Sequence, residues 1–247
     1  MRTEVVIHPN RQSLSTAVSS YVILLAAQAI EKRKHFYVAL SGGSLMEILS
    51  PQLVAESLRT AINWKGWHVF WADERCLPPT SLESNFGFAN QHLFKYVNIP
   101  GNQIYFLDCS GAAWEAAEAY TLTLKQVFRP GAGRLPRFDL ILLGIGEDGH
   151  IASLFPGHPL LNETQYWVAP VFNAPKPPPV RMTMTLPLIN NARHILFVVS
   201  GLGKKAILSE ILKPGPHRRK FPAGLVNPGR GDLKWFVDSE AVGLVRK

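Results

Sequence analysis

Residues 36–49 read FYVALSGGSLMEIL. A short apolar run rich in aromatic and β-branched side chains is a buried strand. The Gly-Gly pair punctuates it, and the leucine, methionine and isoleucine that follow have helical spacing. A strand that passes through a glycine turn straight into a helix is the first half of a parallel crossover. The same alternation recurs on both sides of this unit. Further strand-like runs stand at 4–7, 67–71, 103–107, 138–143, 194–199 and 234–237, and helical patterns at 44–60, 85–96, 112–128 and 204–212. Before residue 36, Leu14, Val18, Val22, Leu25 and Ala29 recur at helical steps behind an Asn10/Ser13 cap signal. Strands alternating with helices of this length predict an α/β fold. The expected architecture is a doubly wound, mainly parallel sheet with helices on both faces, Rossmann-like. No low-complexity linker or internal repeat divides residues 1–247, and PKPPP at 175–179 reads as a stiff surface loop, so a single domain is expected.

Composition narrows the function classes. The chain has 247 residues, is 47% hydrophobic and only 18% charged, which is the balance of a packed globular protein and not of a disordered one. The longest uninterrupted apolar run, 21–27, is far short of the roughly 20 residues that cross a bilayer, so no membrane association is expected. The start of the chain lacks the basic, apolar and small-residue succession of a secretory signal, and a cytoplasmic location is expected. Cys76 and Cys109 lack the paired spacing of a zinc site and read as free thiols; no metal site is expected. The net charge of +8 suits anionic ligands but selects none among nucleic acid, lipid and small phosphates. The two densest basic clusters, Lys32-Arg33-Lys34-His35 and His217-Arg218-Arg219-Lys220, read as solvated surface. The first also complements the dipole of a helix's last turn.

In doubly wound sheets, ligands bind outside the carboxyl ends of the strands, so the residues just after each apolar run are the candidates. After 36–40, Gly42, Gly43 and Ser44 offer backbone N–H groups at a helix start, either as a phosphate cradle or as an ordinary tight turn. After 67–71 come Asp73, Glu74 and Arg75. The planar fork of Arg75 suits a phosphate and Asp73 suits a sugar hydroxyl or a proton carrier, while an Asp73–Arg75 ion pair is the structural alternative. Ser84 and Asn85 are candidate helix caps. After 138–143, GIGEDG formally matches a dinucleotide fingerprint. That reading fails, because Pro156-Gly157 forbids a long helix and two acids would sit inside a pyrophosphate cradle. The acidic pair beside His150 points to proton transfer instead, a neighbouring carboxylate fixing the tautomer of a general base, with a purely structural histidine as the alternative. Gly201, Gly203 and Lys204 after the 194–199 run form a second candidate anion site. Arg181 is either a ligand clamp or a surface charge.

Together these motifs resemble the 6-phosphogluconolactonases, within the wider family that includes glucosamine-6-phosphate isomerases. The resemblance rests on SGGS (41–44), DER and SN (73–75, 84–85), GIGEDGHIASLFPGHPLL (144–161), APKPPPVRMTMTLPLINNAR (174–193) and SGLGKKAIL (200–208), and runs on into FPAGLVNP and WFVD. Five such segments in order are specific. The resemblance implies hydrolysis of 6-phospho-D-glucono-1,5-lactone to 6-phosphogluconate without metal or organic cofactor. His150 would then activate water. Asp148 or Asp73 would orient His150, and Gly42, Gly43, Ser44, Arg75, Asn85, Arg181 and Lys204 would hold the substrate. Deaminase members of the family follow their DGH with a Phe-Asn-Glu-Pro run, and here the continuation is IASLFPGH, which counts against aminosugar chemistry. A sugar-phosphate sensor would leave His150, Asp148 and Asp73 unexplained. No aromatic-basic signature of nucleic-acid binding is present. The expected partner is a small sugar-phosphate lactone, and a monomer is favoured.

Overall fold

The computed structural model describes residues 3–109 and 111–244. In chain order its elements are β1 (Thr3–His8), α1 (Arg11–Arg33), β2 (Phe36–Leu40), α2 (Ser44–Leu53), α3 (Glu56–Arg59), β3 (Trp67–Trp71), β4 (Asp73–Arg75) and α4 (Asn85–His92). They continue with α5 (Ala113–Phe128), β5 (Leu140–Leu143), β6 (Val168–Val171), β7 (Arg181–Met184), α6 (Leu186–Ile189), β8 (His194–Val199), α7 (Lys205–Leu212) and β9 (Asp232–Asp238). Six strands form one sheet in the order β1-β9-β8-β5-β2-β3, and every pairing in it is parallel.

Period-2 burial places helices on both faces. Phe36, Val38 and Leu40 of β2 pack with α1 and α2, whereas Ala39 turns to the opposite core with α5, α6 and α7. The α/β expectation therefore holds in its main feature. Asn10 caps α1 by accepting from the Ser13 N–H at 2.8 Å, as its position predicted. With 23 residues and a mean hydropathy of 1.5 over its best window, α1 is apolar enough by composition to span a bilayer, which counting uninterrupted runs had missed. Its stripe of Leu14, Val18, Val22, Leu25, Ala26 and Ala29 is buried against the sheet, as in a core helix.

Three expectations need correction. The run at 103–107 is no strand: it makes one isolated bridge, Val69 to Ile104, and Tyr105 donates its N–H to Val69 O. Its apolar character comes from side-chain burial, with Tyr105 stacked on Phe70 at 4.5 Å. The helices expected at 44–60 and 85–96 each break, the first at the extended Ala55 after Pro51 and the second at Leu93 (φ −133°). A second sheet, antiparallel in the order β4-β7-β6, was not anticipated. Its strands are short, β4 is wholly charged, β7 alternates polar and apolar residues, and the apolar stretch of β6 is interrupted by Pro170, which an edge strand tolerates. Ala72 joins the sheets, donating to Leu40 O at 2.8 Å and accepting from Met184 N at 2.7 Å. This link suspends Asp73 over the carboxyl end of β2. From β2 the chain crosses to β3 on one side and returns to β5 on the other, so the switch point of the winding lies between β2 and β5.

Candidate active site

A cavity of about 300 Å³ opens at that switch point. Ser41, Gly42, Gly43 and Ser44 line it from the end of β2, Gly144, Gly146 and His150 from the end of β5, and Asp73 and Arg75 from β4. Lys176, Arg181 and Lys204 close the remaining side. No dinucleotide cradle forms. The Gly144–Gly149 segment turns back on itself, with Gly149 N–H donating to Gly146 O at 3.0 Å and Gly146 N–H to His150 O at 2.9 Å. Gly149 sits at φ +83°, a conformation that favours glycine.

This tight loop delivers His150 against Asp148. The imidazole Nδ1 lies 2.5 Å from Asp148 Oδ1, which also accepts the His150 backbone N–H at 3.2 Å. An ionised carboxylate only accepts, so Nδ1 carries the proton and Nε2 keeps its lone pair. Burial pushes the His150 pKa below its ordinary 6.5 and outweighs the opposing attraction of Asp148 and Asp73. Burial alone would raise Asp148, but attraction to His150 and the hydrogen bonds it accepts leave that carboxyl below the ordinary range. Near neutral pH the couple is therefore a neutral imidazole on an ionised carboxylate. The ring also packs on Phe155, centroids 4.7 Å apart.

Asp73 has a different post. It is buried, accepts from Ser153 Oγ at 2.8 Å, and makes no hydrogen bond to His150. Of the two carboxylates left open by the sequence, Asp148 is the one that holds the imidazole. Arg75 forms no ion pair with Asp73; its Nη1 donates to Glu83 O at 2.7 Å, and its buried Nε has no protein partner. Asn85 stands behind the wall and does not line the cavity. Its Nδ2 donates to Asp73 O at 2.8 Å, and its Oδ1 presses on Gly42, where a Cβ would lie only 1.8 Å away. Asn85 thus props the glycine turn against β4. Asp148 is likewise set behind His150 and outside the lining.

Arg181 is neither a surface charge nor a free clamp. It is buried, donates to Pro178 O at 3.2 Å and to Lys176 O and Pro177 O at 2.9 Å, and lies over the Phe155 ring. The guanidinium stiffens the proline loop and so sets Lys176 at the cavity, a residue that the sequence had absorbed into PKPPP. The candidate anion site at 201–204 is corrected in part: the Gly201 N–H is spent on Asp238 at 3.1 Å, and only Lys204 reaches the cavity. Gly43 caps α2 at φ +70° with open space where a Cβ would stand, so its backbone conformation calls for glycine. Glu74 also went unread. Its buried carboxylate accepts from the N–H groups of Arg75, Asn85 and Phe86, pinning the start of α4, while burial pushes its pKa up to about 7. Ser84 caps the same helix, accepting from Gly87 N–H at 2.8 Å. Arg75, Lys176, Arg181 and Lys204 around an unprotonated imidazole suit an anionic substrate that must lose an acyl bond to water. Among the described residues no cluster of His, Cys, Asp and Glu has a metal-ligand arrangement.

Residues 9–235 match the family described as glucosamine-6-phosphate isomerases/6-phosphogluconolactonase. A human 6-phosphogluconolactonase is 40% identical over 236 residues, covering 95% of this chain and 90% of that protein. A rice (Oryza sativa subsp. indica) protein named probable 6-phosphogluconolactonase 3, chloroplastic, is 39% identical over 94% of this chain and 73% of its own length. The crystal structure of 6-phosphogluconolactonase from Leishmania guyanensis superposes with a TM-score of 0.88 at 25% identity, covering both chains completely.

Proposed function

Because this chain belongs to the family of glucosamine-6-phosphate isomerases and 6-phosphogluconolactonases, we propose that its cavity hydrolyses 6-phospho-D-glucono-1,5-lactone with His150 as general base. The enzyme is a sugar-phosphate lactone hydrolase of the pentose phosphate pathway. The observation that carries the residue-level reading is the Asp148–His150 couple, which leaves a basic Nε2 at the cavity. Nε2 takes a proton from water, and the hydroxide adds to the C1 carbonyl. The tetrahedral oxyanion then collapses by breaking the bond from C1 to the ring oxygen, and the imidazolium returns its proton to that oxygen. Arg75, Lys176 and Lys204, with the amides at the start of α2, bind the phosphate and offset the oxyanion. Aminosugar ring opening finds no support here: Ile151 and Leu154 close a tight bridge just after His150, with the buried Ser153 inside it and no acid.

The test is hydrolysis of freshly generated lactone, corrected for spontaneous breakdown, across pH. The base works only when neutral and burial lowers its pKa, so kcat/KM is expected to be level through pH 7–8 and to fall with a midpoint below 6.5. Absence of acceleration sinks the lactonase reading, and a midpoint above 6.5 sinks the assignment of the buried imidazole as base. Lys204→Ala is expected to raise KM about tenfold or more with a smaller change in kcat, the loss of one charged hydrogen bond to a phosphate. Loss confined to kcat would move Lys204 from the phosphate to the oxyanion. We place the enzyme in the cytoplasm, where the free thiols Cys76 and Cys109 stay reduced.

A further inference from the structure

A second cavity is larger than the catalytic one. A groove of about 1090 Å³ lies at the amino ends of β1, β9 and β8, at the opposite end of the sheet from His150. It is lined by Lys32, Arg33, Arg137, Arg193, Arg230 and Lys234, with Glu4 and Asp232 among them. The basic cluster that ends α1, otherwise unused, supplies two of these cations.

The charges are badly matched within the protein. Arg33 and Arg193 share one carboxylate, Asp139, at 2.5 and 3.3 Å, and that carboxylate also accepts the Tyr37 N–H. Arg137 donates to a neutral carbonyl, Arg230 O. Lys234 is neutralised by Glu4, and Asp232 lies by His194. Among the described residues, Lys32, Arg137 and Arg230 have no carboxylate within ion-pair distance. With Asp139 and Asp232 set against Lys32, Arg33, Arg137, Arg193 and Arg230, three positive charges remain uncompensated. Burial, then repulsion from Arg33 and Arg137, lowers the Arg193 pKa, a sign of how closely the guanidinium groups crowd. The dipole of α1 offsets part of the charge on Lys32 and Arg33 but not that on the three arginines from other segments. The walls are fixed: Asp232 N–H donates to Arg193 O, and a Cβ at Gly231 would lie 2.3 Å from Ala192 O.

We propose that this groove is a second anion site that binds a small molecule carrying two phosphate groups. Arginine forks grip phosphate oxygens in pairs, and two phosphates bring about three negative charges, the number left uncompensated. No Phe, Tyr or Trp lines the groove to stack a base, which disfavours single-stranded nucleic acid.

The test is calorimetric titration with inorganic pyrophosphate, and separately with a hexose 1,6-bisphosphate, in the presence of saturating 6-phosphogluconate to fill the catalytic cavity. One equivalent is expected to bind to the wild type, at least tenfold more weakly to R137A/R230A. The lactonase kcat/KM of the double variant is expected to stay within twofold of the wild type. Pyrophosphate binding alone identifies a free diphosphate, and tighter bisphosphate binding a sugar ligand. Arg230→Ala by itself, at an exposed side chain, repeats the test should the double variant fail to fold. No binding beside 6-phosphogluconate, equal affinity in the arginine variants, or displacement by an oligonucleotide that binds more tightly would each overturn the proposal.

Discussion

Replacing His150 by alanine is expected to lower kcat for lactone hydrolysis by roughly 10²- to 10⁴-fold, the contribution of a positioned general base. Affinity for 6-phosphogluconate should change only a few-fold. The separation follows from the site: the imidazole is neutral near pH 7 and contributes no charge to phosphate binding, whereas Arg75, Lys176 and Lys204 remain. The acid limb of the pH profile should vanish with the side chain. Asp73, the one carboxylate among the described residues that line the cavity, already accepts from Ser153 Oγ at 2.8 Å and is held by Asn85, so it is poorly placed to replace the base. Steady-state rates with the spontaneous reaction subtracted decide the matter. A variant that keeps the wild-type kcat would leave the substrate assignment standing and remove His150 from the chemistry.

Much of this site was legible because a doubly wound sheet concentrates function at the carboxyl ends of its strands. Gly42, Gly43, Ser44, Asp73, Arg75, His150 and Lys204 all follow apolar strand runs in the sequence, and all line one cavity. What escaped were relations between distant segments. Glu74 reads as one more charge after a strand, yet its role is fixed by the N–H groups of Asn85 and Phe86 on the next helix. Lys176 looks like a loop residue until the Arg181 guanidinium is seen to anchor the carbonyls around it. Asn85 stands next to the cavity as its sequence neighbourhood suggests, yet it supports Gly42 from behind and does not line the cavity. The β4-β7-β6 sheet was invisible for a related reason. Its central pairing, β4 with β7, joins Asp73 to Thr183 and Arg75 to Arg181 across more than a hundred residues, and no local pattern of side chains records that; β6 pairs locally with β7 but is interrupted by Pro170.

Gly146→Ala is the sharper test of how the chain builds its base, because the substitution touches only the arrangement of groups. Gly146 has no positive φ, so alanine is compatible with its backbone. The new Cβ, however, would fall 2.0 Å from His150 Nδ1, 2.2 Å from Cε1 and 2.4 Å from Asp148 Oδ1. No van der Waals arrangement accommodates this, and the two side chains that hold each other must be driven apart. Both are partly exposed, 17% for His150 and 36% for Asp148, so they can swing aside without unfolding the core. A displacement of about 1 Å at a reacting group costs on the order of 10² in rate, so kcat is expected to fall about a hundredfold while KM and the thermal midpoint change little. The pH profile carries the signature of the cause. Attraction to Asp148 opposes the burial that lowers the His150 pKa, so parting the pair should move the acid limb to still lower pH in the residual activity. His150→Ala, by contrast, removes that limb altogether. If Gly146→Ala instead retains full activity, the loop relaxes by more than an ångström without cost, and the close fit of glycine to imidazole is not what holds the base in place.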